Sequence, residues 1–543
     1  MAKIREIEDE LEESKKRKLQ KESSSIAFKE GALGAFDASK NTDHPNMESN
    51  FVVTLGTHTD GLNSTTFAFK RDYILKKMFN WMNFQERMNR FLLLDSPAAS
   101  GKTTLLIMFR LQYPQLNVHY ISMFSKSDPY DCLLSVGLDV VHRICKYDQV
   151  IYILDDAQYL YDHPSFCHTL VKDIPLLFSG VQFIISVTHK ISTRDQPNPF
   201  YFEGLEKISH EDLLFSSDQS LELLNSQPPL GLPTHMQNFS QLKNTIIEHC
   251  NGLVGALRES AKFFVDSFCV HMSTEVMYLQ AYYSKNLLDQ MHGCFGIVCE
   301  SCIPANANDI LLKCVLGERI HSILDVDHSI SGIISSFAKA GTLTIDEHKR
   351  YGFSSILAKR YFLHRYSQHR AINDPSTLCE LVVKAIESMS AKSLMSSTSS
   401  QNDFPKEATF QHLFMVGLLN HTSCNTAICP ELSRLVATNN NKMGEIDFIM
   451  DGNLMWGIAL VTRGYKISEH LSRFGPKGKY AGLYLNDFIV LDFCKGGKGV
   501  TNVIQDSHTA TASFTVDAAG YTCYKNVVFR CGNDKPVTLR LQP

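Results

Sequence analysis

Lys102, Thr103 and the adjacent pair Asp155-Asp156 are the residues whose types and spacing could handle a phosphate. The stretch "SPAASGKT", Ser96 to Thr103, fits G-x-x-x-x-G-K-[ST], with Ser96 in place of the first glycine. In that pattern the backbone N–H groups of a loop opening a helix surround a β-phosphate. Ser96, Ser100, Gly101, Lys102, Thr103 and Thr104 are therefore candidate nucleotide-binding residues. Lys102 would bridge β- and γ-phosphates, and the Thr103 hydroxyl would hold Mg²⁺. Gly101 admits the backbone approach that a Cβ would block. If the first turn needs a positive φ, Ser96 strains it, because non-glycine residues rarely sit there. The plainer reading, a strand, a turn and a helix with an incidental GKTT, is weakened by what lies downstream.

"QVIYILDDAQ" is an apolar run ending in Asp155-Asp156. A carboxylate at the end of a neighbouring strand completes the Mg²⁺ shell of a phosphate-loop site, a role for Asp155. Asp156 stands where a water-activating carboxylate is expected, usually glutamate; it is one methylene shorter, which predicts slow hydrolysis. "VQFIISVTHK" ends in Ser186, Thr188 and His189, and Thr188 could sense the γ-phosphate. "NGLVGALRES" places Gly252 and Gly255 before a helix bearing Arg258. It resembles the lid helix of AAA-like and signal-transduction ATPases, in which an arginine reaches the nucleotide. Taken alone, Asp155-Asp156 reads as a solvated strand end and Arg258 as a surface arginine.

The elements that must position these residues follow from apolar patterning. Runs at Phe91–Leu94, Val118–Ser122, Val150–Leu154 and Val181–Val187 are apolar nearly throughout, as parallel strands buried on both faces should be. Helical runs at Thr103–Leu111 and Tyr130–Ile144 alternate with them, which predicts a βαβ sheet over 51–200. Residues 201–390 carry helical periodicity, and the Ser-rich stretch 391–405 reads as a linker. Strand-like runs return in 406–543 at Ile446–Met450, Met455–Val461, Phe488–Phe493 and Val527–Arg530. Residues 1–24 favour a charged helix, followed by a flexible linker to about residue 50.

The 543 residues allow two to four domains. A formal net charge of -4 excludes a global basic field, so a nucleic-acid site would be a local patch. The 15 scattered cysteines suit reduced thiols. Cys294, Cys299, Cys302 and Cys314 could ligate a metal by spacing, but their apolar setting favours buried free thiols. No secretory signal opens the chain, and no window approaches the ~18 apolar residues of a membrane span. Lys15, Lys16, Arg17 and Lys18 form a short basic run of the kind import receptors read, or a solvated helix face.

The C-terminal block carries Gly444, Ile446, Asp447 and Phe448, then Trp456-Gly457-Ile458, Arg463-Gly464, His470, Arg473 and Phe474, Tyr480, and Asp487 through Phe493. This series resembles the restriction-endonuclease-like domain of Crinkler proteins, an effector family of oomycetes and fungi that often joins it to a phosphate-loop NTPase. The resemblance covers roughly residues 50–543. It implies an α/β multidomain protein with three parts: a phosphate-loop NTPase built on a parallel sheet, a helical lid and winged-helix-like middle, and an α/β nuclease-fold domain. It also implies DNA, or host or self proteins, as partners, and action in a nucleus. Secretion into a host cell would rest on the resemblance alone, since the family's L-F-L-A-K header is not visible.

Against the family pattern, Asp447 is in place, but the partner carboxylate falls on Ala459, the basic position on Val461, and the helix acid near Leu413. Mg²⁺ wants several anionic oxygens, so cleavage is expected to be lost. The expected activity is slow hydrolysis of ATP or GTP with Mg²⁺, beside a degenerate nuclease site comprising Asp447, Ala459, Val461, Arg463, His470 and Arg473. Two alternatives stay open. One is a nucleotide-dependent oligomerising switch with no nucleic-acid role. The other is an active nuclease whose metal site has migrated to Glu445, Asp451 or Glu469.

Overall fold

The computed structural model describes residues 53–543 apart from 56–65, 70, 83–89, 124–127, 189–205, 229, 269–273, 296–302, 318, 322–327, 347, 349, 367–369, 399–403, 431–445, 452–453, 479, 484, 497–505 and 517–521. The charged helix and linker expected before residue 50, and the basic run at 15–18, lie outside the described residues.

Four of the apolar runs become strands β1 (Phe91–Asp95), β2 (Val118–Ser122), β3 (Val150–Asp155) and β4 (Val181–Val187), joined by β5 (Glu206–Ile208). All pairings are parallel, in the order β2-β3-β4-β1-β5. β4 thus separates the strand that feeds the loop from the strand that ends in Asp155. Leu92, Leu94, Ile151, Ile153 and Ile184 pack on one face, with helices α1 (Asp72–Met82) and α2 (Lys102–Gln112). Phe91, Leu93, Tyr152, Leu154, Phe183 and Ile185 fill the other face. Two covered faces leave no place for polar alternation, which is why these runs read as uniformly apolar. The helix expected over 130–144 is shorter. It spans Pro129–Ser135, and Gly137, at φ 90°, turns the chain into a hairpin of Leu138–Asp139 with Ile144–Cys145.

The middle region is helical: α3 (His210–Leu213), α4 (Ser217–Asn225), α5 (Ser240–Cys250), α6 (Val254–Ser267) and further helices up to α7 (Ile356–Tyr366). It also holds a small antiparallel sheet, β6 (Ile320–His321), β7 (Leu343–Ile345) and β8 (Arg350–Phe353), ordered β6-β8-β7. Helix His328–Lys339 lies between β6 and the β7–β8 hairpin.

The third region begins earlier than expected. Helix α8 (Leu378–Glu387) packs on α9 (Glu407–His421). The Ser-rich stretch, expected to be a linker, carries a helix at Ala391–Ser396 capped by Ser390. It is pinned to the chain's end by Ala391 N–H donating to Gln542 O at 2.8 Å. Seven strands follow: β9 (Ile428–Pro430), β10 (Phe448–Met450), β11 (Trp456–Thr462), β12 (Asp487–Lys495), β13 (Thr509–Val516), β14 (Thr522–Cys531) and β15 (Val537–Arg540). They lie side by side in chain order. β9, β10 and β11 form an antiparallel meander; α10 (Ile467–Phe474) then crosses over to β12, which is parallel to β11. β9, β13 and β15 escaped the sequence reading because they are short or alternate Ala with Thr.

The chain from Phe51 to Pro543 forms one compact unit. A single apolar core runs from Phe215 through the middle helices to Leu541. At its centre Arg360 of α7 is buried, 1% exposed. Its guanidinium lies 3.3 Å from His249 Nδ1, donates to Tyr282 O at 3.1 Å, and sits over the Tyr282 and Tyr283 rings at 5.3 and 5.2 Å. Cys429 of β9 and Asp451, just after β10, complete its surroundings from the C-terminal sheet. Among the described residues no helix is long and apolar enough to cross a membrane.

Asp451 is fully buried, and burial pushes its carboxyl up to about 7; the Ala427 N–H and the charges of Arg360 and Arg370 only partly offset that. A carboxyl raised on folding contributes stability that is whole below its unfolded value and is lost as pH rises through the folded one. Asp451→Asn, which cannot ionise, should therefore gain on the parent in urea-denaturation free energy between about pH 5 and about pH 8. A parent–variant difference that does not change with pH would show that Asp451 does not titrate in this window.

Candidate nucleotide-binding site

The loop leaving β1 turns at Ala99 (φ 59°) and Gly101 (φ 84°). Ser96 is not among the positive-φ residues, so the strain expected there falls on Ala99 instead. A methyl side chain in the left-handed region costs of order 1 kcal/mol, and the loop tolerates it. Ser96 is buried, its N–H donates to Val187 O at 3.3 Å, and its Oγ lies 3.0 Å from His210 Nδ1.

Lys102 opens α2 and is itself buried. Its Nζ donates to Ser96 O at 2.6 Å, to Pro97 O at 2.8 Å and to Ser100 Oγ at 3.4 Å. Burial lowers its pKa to about 8, against the pull of Asp155, Asp156 and Asp95. One ammonium therefore stands among three carboxylates, a setting with room for further positive charge. Thr103 Oγ1 donates to Asp155 Oδ2 at 2.6 Å, and Asp155 is fully buried. The two oxygens proposed from sequence to share a Mg²⁺ shell are already in contact. They are hard oxygen donors, which fits that ion.

Asp155 is fixed further by Tyr120 OH, which donates to Oδ2 at 2.7 Å, and by Asp156 N–H, which donates to Oδ1 at 3.0 Å. Asp156 itself is left-handed (φ 55°) and accepts from Gln158 Nε2 at 3.2 Å. Thr188 follows Val187, whose carbonyl Ser96 bonds, so it flanks the loop. Ser186 is buried on β4, between the registers of Leu94 and Asp155. The sequence reading missed Tyr120 and His210. Tyr120 left a signal, a hydroxyl in an apolar strand two residues before the position facing Asp155. His210 left none, because only the pairing of β5 with β1 brings it to the loop.

Gly255 and Gly341 show what covers the loop. Gly255, in the first turn of α6, donates its N–H to Ala99 O at 2.8 Å. A Cβ there would lie 2.5 Å from Ala99 Cβ and 2.6 Å from Ala99 O. A Cβ on Gly341, in the turn before β7, would lie 3.0 Å from Ala98 N. The loop is thus clasped by α6 and by the small middle sheet. Arg258 is not part of the clasp in this state: it lies on the same helix as Gly255, where its charge acts on the buried Cys294 thiol.

The residues read from sequence as a degenerate nuclease site lie on or beside the C-terminal sheet, in different surroundings. One register step beyond Phe448↔Ile458, Asp447 lies opposite Ala459. Its carboxylate accepts from Leu460 N–H at 2.8 Å and from Gln411 Nε2 of α9. The helix residue that reaches Asp447 is therefore Gln411, not Leu413, which packs against the main core. Ala459 and Val461 form an apolar cluster with Val490, under Ile467, Leu471 and Phe474 of α10. Asp492, paired with Val461, accepts from Gly464 N–H at 2.8 Å.

Arg463 (φ 60°) sits over the Phe404 ring at 5.6 Å. His470 is held down to about 4 by burial and by Arg473. Arg473 pairs with Glu469 at 2.8 Å beside an open cavity of about 690 Å³ whose lining includes Glu469, Arg473 and Lys477. Asp451 belongs to the Arg360 centre and Glu469 to this surface pair, while Glu445 lies outside the described residues. Among the described residues no three His, Cys, Asp or Glu gather as a metal cluster. Cys294 and Cys314 are buried free thiols; Cys299 and Cys302 lie outside the described residues.

No protein-family model matches the chain, and no curated protein matches it. Solved structures match parts of it at low identity. PCH-2 of C. elegans is 10% identical over 40% of this chain and 68% of that one, with a TM-score of 0.27. The Aeropyrum pernix Orc1 protein in complex with DNA is 12% identical over 55% and 92%, with a TM-score of 0.29. A Thermotoga maritima RuvB mutant is 10% identical over 53% and 94%, with a TM-score of 0.30. Likenesses at this level carry no functional argument, which rests on the geometry above.

The clasp predicts the effect of one methyl. Gly255→Ala should push α6 off Ala99 and destabilise the protein by about 1–3 kcal/mol, the usual cost of overpacking. Calorimetry would register a lower Tm; an unchanged Tm would mean that the lid and the loop are not in contact.

Proposed function

We propose that this chain is a Crinkler-like nucleotide-binding protein and a slow ATP or GTP hydrolase. The observation that carries the reading is the array at the loop: buried Lys102 aimed by two loop carbonyls, with Thr103 bonded to Asp155 at its side. The loop N–H groups and Lys102 bind the phosphates. Thr103 and Asp155 would hold Mg²⁺, which when bound neutralises charge on the phosphates. Asp156 orients the attacking water, at a rate limited by its short reach, and Thr188 contacts the γ-phosphate side. Strand order supports this reading, because it brings the loop after β1 and the carboxylate that ends β3 to the same end of the sheet, where Thr103 and Asp155 meet.

The C-terminal region, from about 406, reads as a restriction-endonuclease-like domain that binds DNA or a protein without cutting. Its support is the succession α9, β9, β10, β11, α10, β12, together with the burial of Ala459 and Val461 where a carboxylate and a cation would be needed. The middle region, 201–390, serves as lid and winged-helix-like body. Nuclear and cytoplasmic residence rests on the basic run near residue 15 and on the family resemblance.

A second reading, a nucleotide-dependent switch, is favoured by the clasp of Gly255 and Gly341 on the loop. Nucleotide entering a clasped loop must displace or engage both elements, so occupancy and lid position are linked.

Lys102→Ala should abolish nucleotide turnover by the purified chain and weaken Mg²⁺–nucleotide binding, measured by phosphate release and calorimetric titration. Turnover equal to the parent's would sink the hydrolase reading. The nuclease reading has its own test. The parent should leave plasmid DNA uncut with Mg²⁺ or Mn²⁺, and only the combination Gln411→Glu, Ala459→Glu and Val461→Lys should restore nicking. Cleavage by the parent that Asp447→Ala abolishes would favour a migrated site instead.

A further inference from the structure

Ser96 occupies the place where the phosphate-loop pattern has its first glycine, and glycine has no side chain to anchor. Here the extra hydroxyl is used. Ser96 touches three elements: its N–H reaches Val187 at the end of β4, its carbonyl accepts from Lys102 Nζ at 2.6 Å, and its Oγ bonds His210 Nδ1 at 3.0 Å. Ser96 itself is 1% exposed, and its contact with the half-buried His210 is partly shielded from water.

His210 is in turn held from behind. It opens α3, whose capping box joins Ser209 and Asp212. Arg71 Nη2 donates to Asp212 O at 3.2 Å, and Lys77 of α1 reaches the Asp212 carboxylate at 3.4 Å. A connected path therefore runs from α1 through α3 and His210 to Ser96, and from the Ser96 carbonyl to the ammonium that meets the phosphates.

We propose that His210 is a positioning residue of the phosphate loop, fixing Ser96 through its side chain so that the Ser96 carbonyl aims Lys102 at the nucleotide. This rests on the nucleotide-binding reading given above. His210 touches no phosphate and acts through Ser96 alone. Its effect must therefore vanish when the Ser96 hydroxyl is removed.

The test is a double-mutant cycle on the full chain, with mant-ATP and mant-GTP as probes and Mg²⁺ present. His210→Ala should weaken binding about three- to tenfold, the range of one lost buried hydrogen bond. His210→Asn, which keeps a polar atom near the Nδ1 position, should stay within about twofold of the parent. In a Ser96→Gly background, His210→Ala should change affinity by less than about twofold, because coupled residues do not add. Equal losses in both backgrounds, or no loss in the parent background, would overturn the proposal while leaving the nucleotide site standing. Lys102→Ala serves as the control: if it binds both probes as tightly as the parent, the nucleotide reading falls and this inference falls with it. Should His210→Ala fail to fold, the Asn variant in both backgrounds decides: a tenfold loss with Asn in the Ser96 background overturns the proposal.

Discussion

A charge taken out of water must be paired, and Lys102 is the charge on which the first half of this molecule turns. Its ammonium is buried, yet two backbone carbonyls and three nearby carboxylates surround it. That requirement accounts for much of the local architecture. Ser96 and Pro97 must expose their carbonyls inward, which the left-handed turn at Ala99 and Gly101 allows. Asp155 must end a strand beside the loop, which the parallel order of β3, β4 and β1 arranges. Thr103 and Tyr120 then hold the Asp155 carboxylate in place. The array of Lys102, Thr103 and Asp155 is thus held by hydrogen bonds from several elements at once.

The middle region ties this site to the rest of the chain in two ways. Gly255 and Gly341 let backbone lie directly on the loop, so the lid and small sheet would have to respond to what the loop holds. At the far side, Arg360 joins the same helical body to the C-terminal sheet through Tyr282, Cys429 and Asp451. Both contacts are made by buried, closely packed residues. A continuous core from Phe215 to Leu541 supplies the physical path between the phosphate loop and the C-terminal domain.

The C-terminal sheet shows the opposite treatment of charge. Asp447, Asp492 and Asp451 are all buried, and the carboxylate of each accepts backbone N–H groups. Ala459, Val461 and Val490 form an apolar cluster under Ile467, Leu471 and Phe474. Asp451 keeps one buried oxygen, Oδ2, without a hydrogen-bond partner, which accords with the upward shift of its carboxyl. On this sheet buried carboxylates and apolar side chains alike are used for packing.

The meeting of Lys102, Thr103 and Asp155 was legible in the residues themselves, because local patterns encode it. An apolar strand, a GKT turn and a strand ending in two aspartates are contiguous stretches, and each carries its own periodicity. The pairing of Asp447 with Ala459 was legible for the same reason, since strand neighbours keep a fixed offset. What sequence could not reach depends on contacts between residues far apart in the chain. Placing the helix partner of Asp447 at Leu413 instead of Gln411 was a two-residue slip, about half a turn, which reverses the face of a helix. The end of helix Pro129–Ser135 turned on a single glycine conformation. His210, Tyr120, the Gly341 contact and the Arg360 centre are products of strand order and helix packing, and no local pattern announces them. Residue types set which chemistry is available; tertiary structure decided which groups meet, because burial and pairing act across the fold and not along the chain.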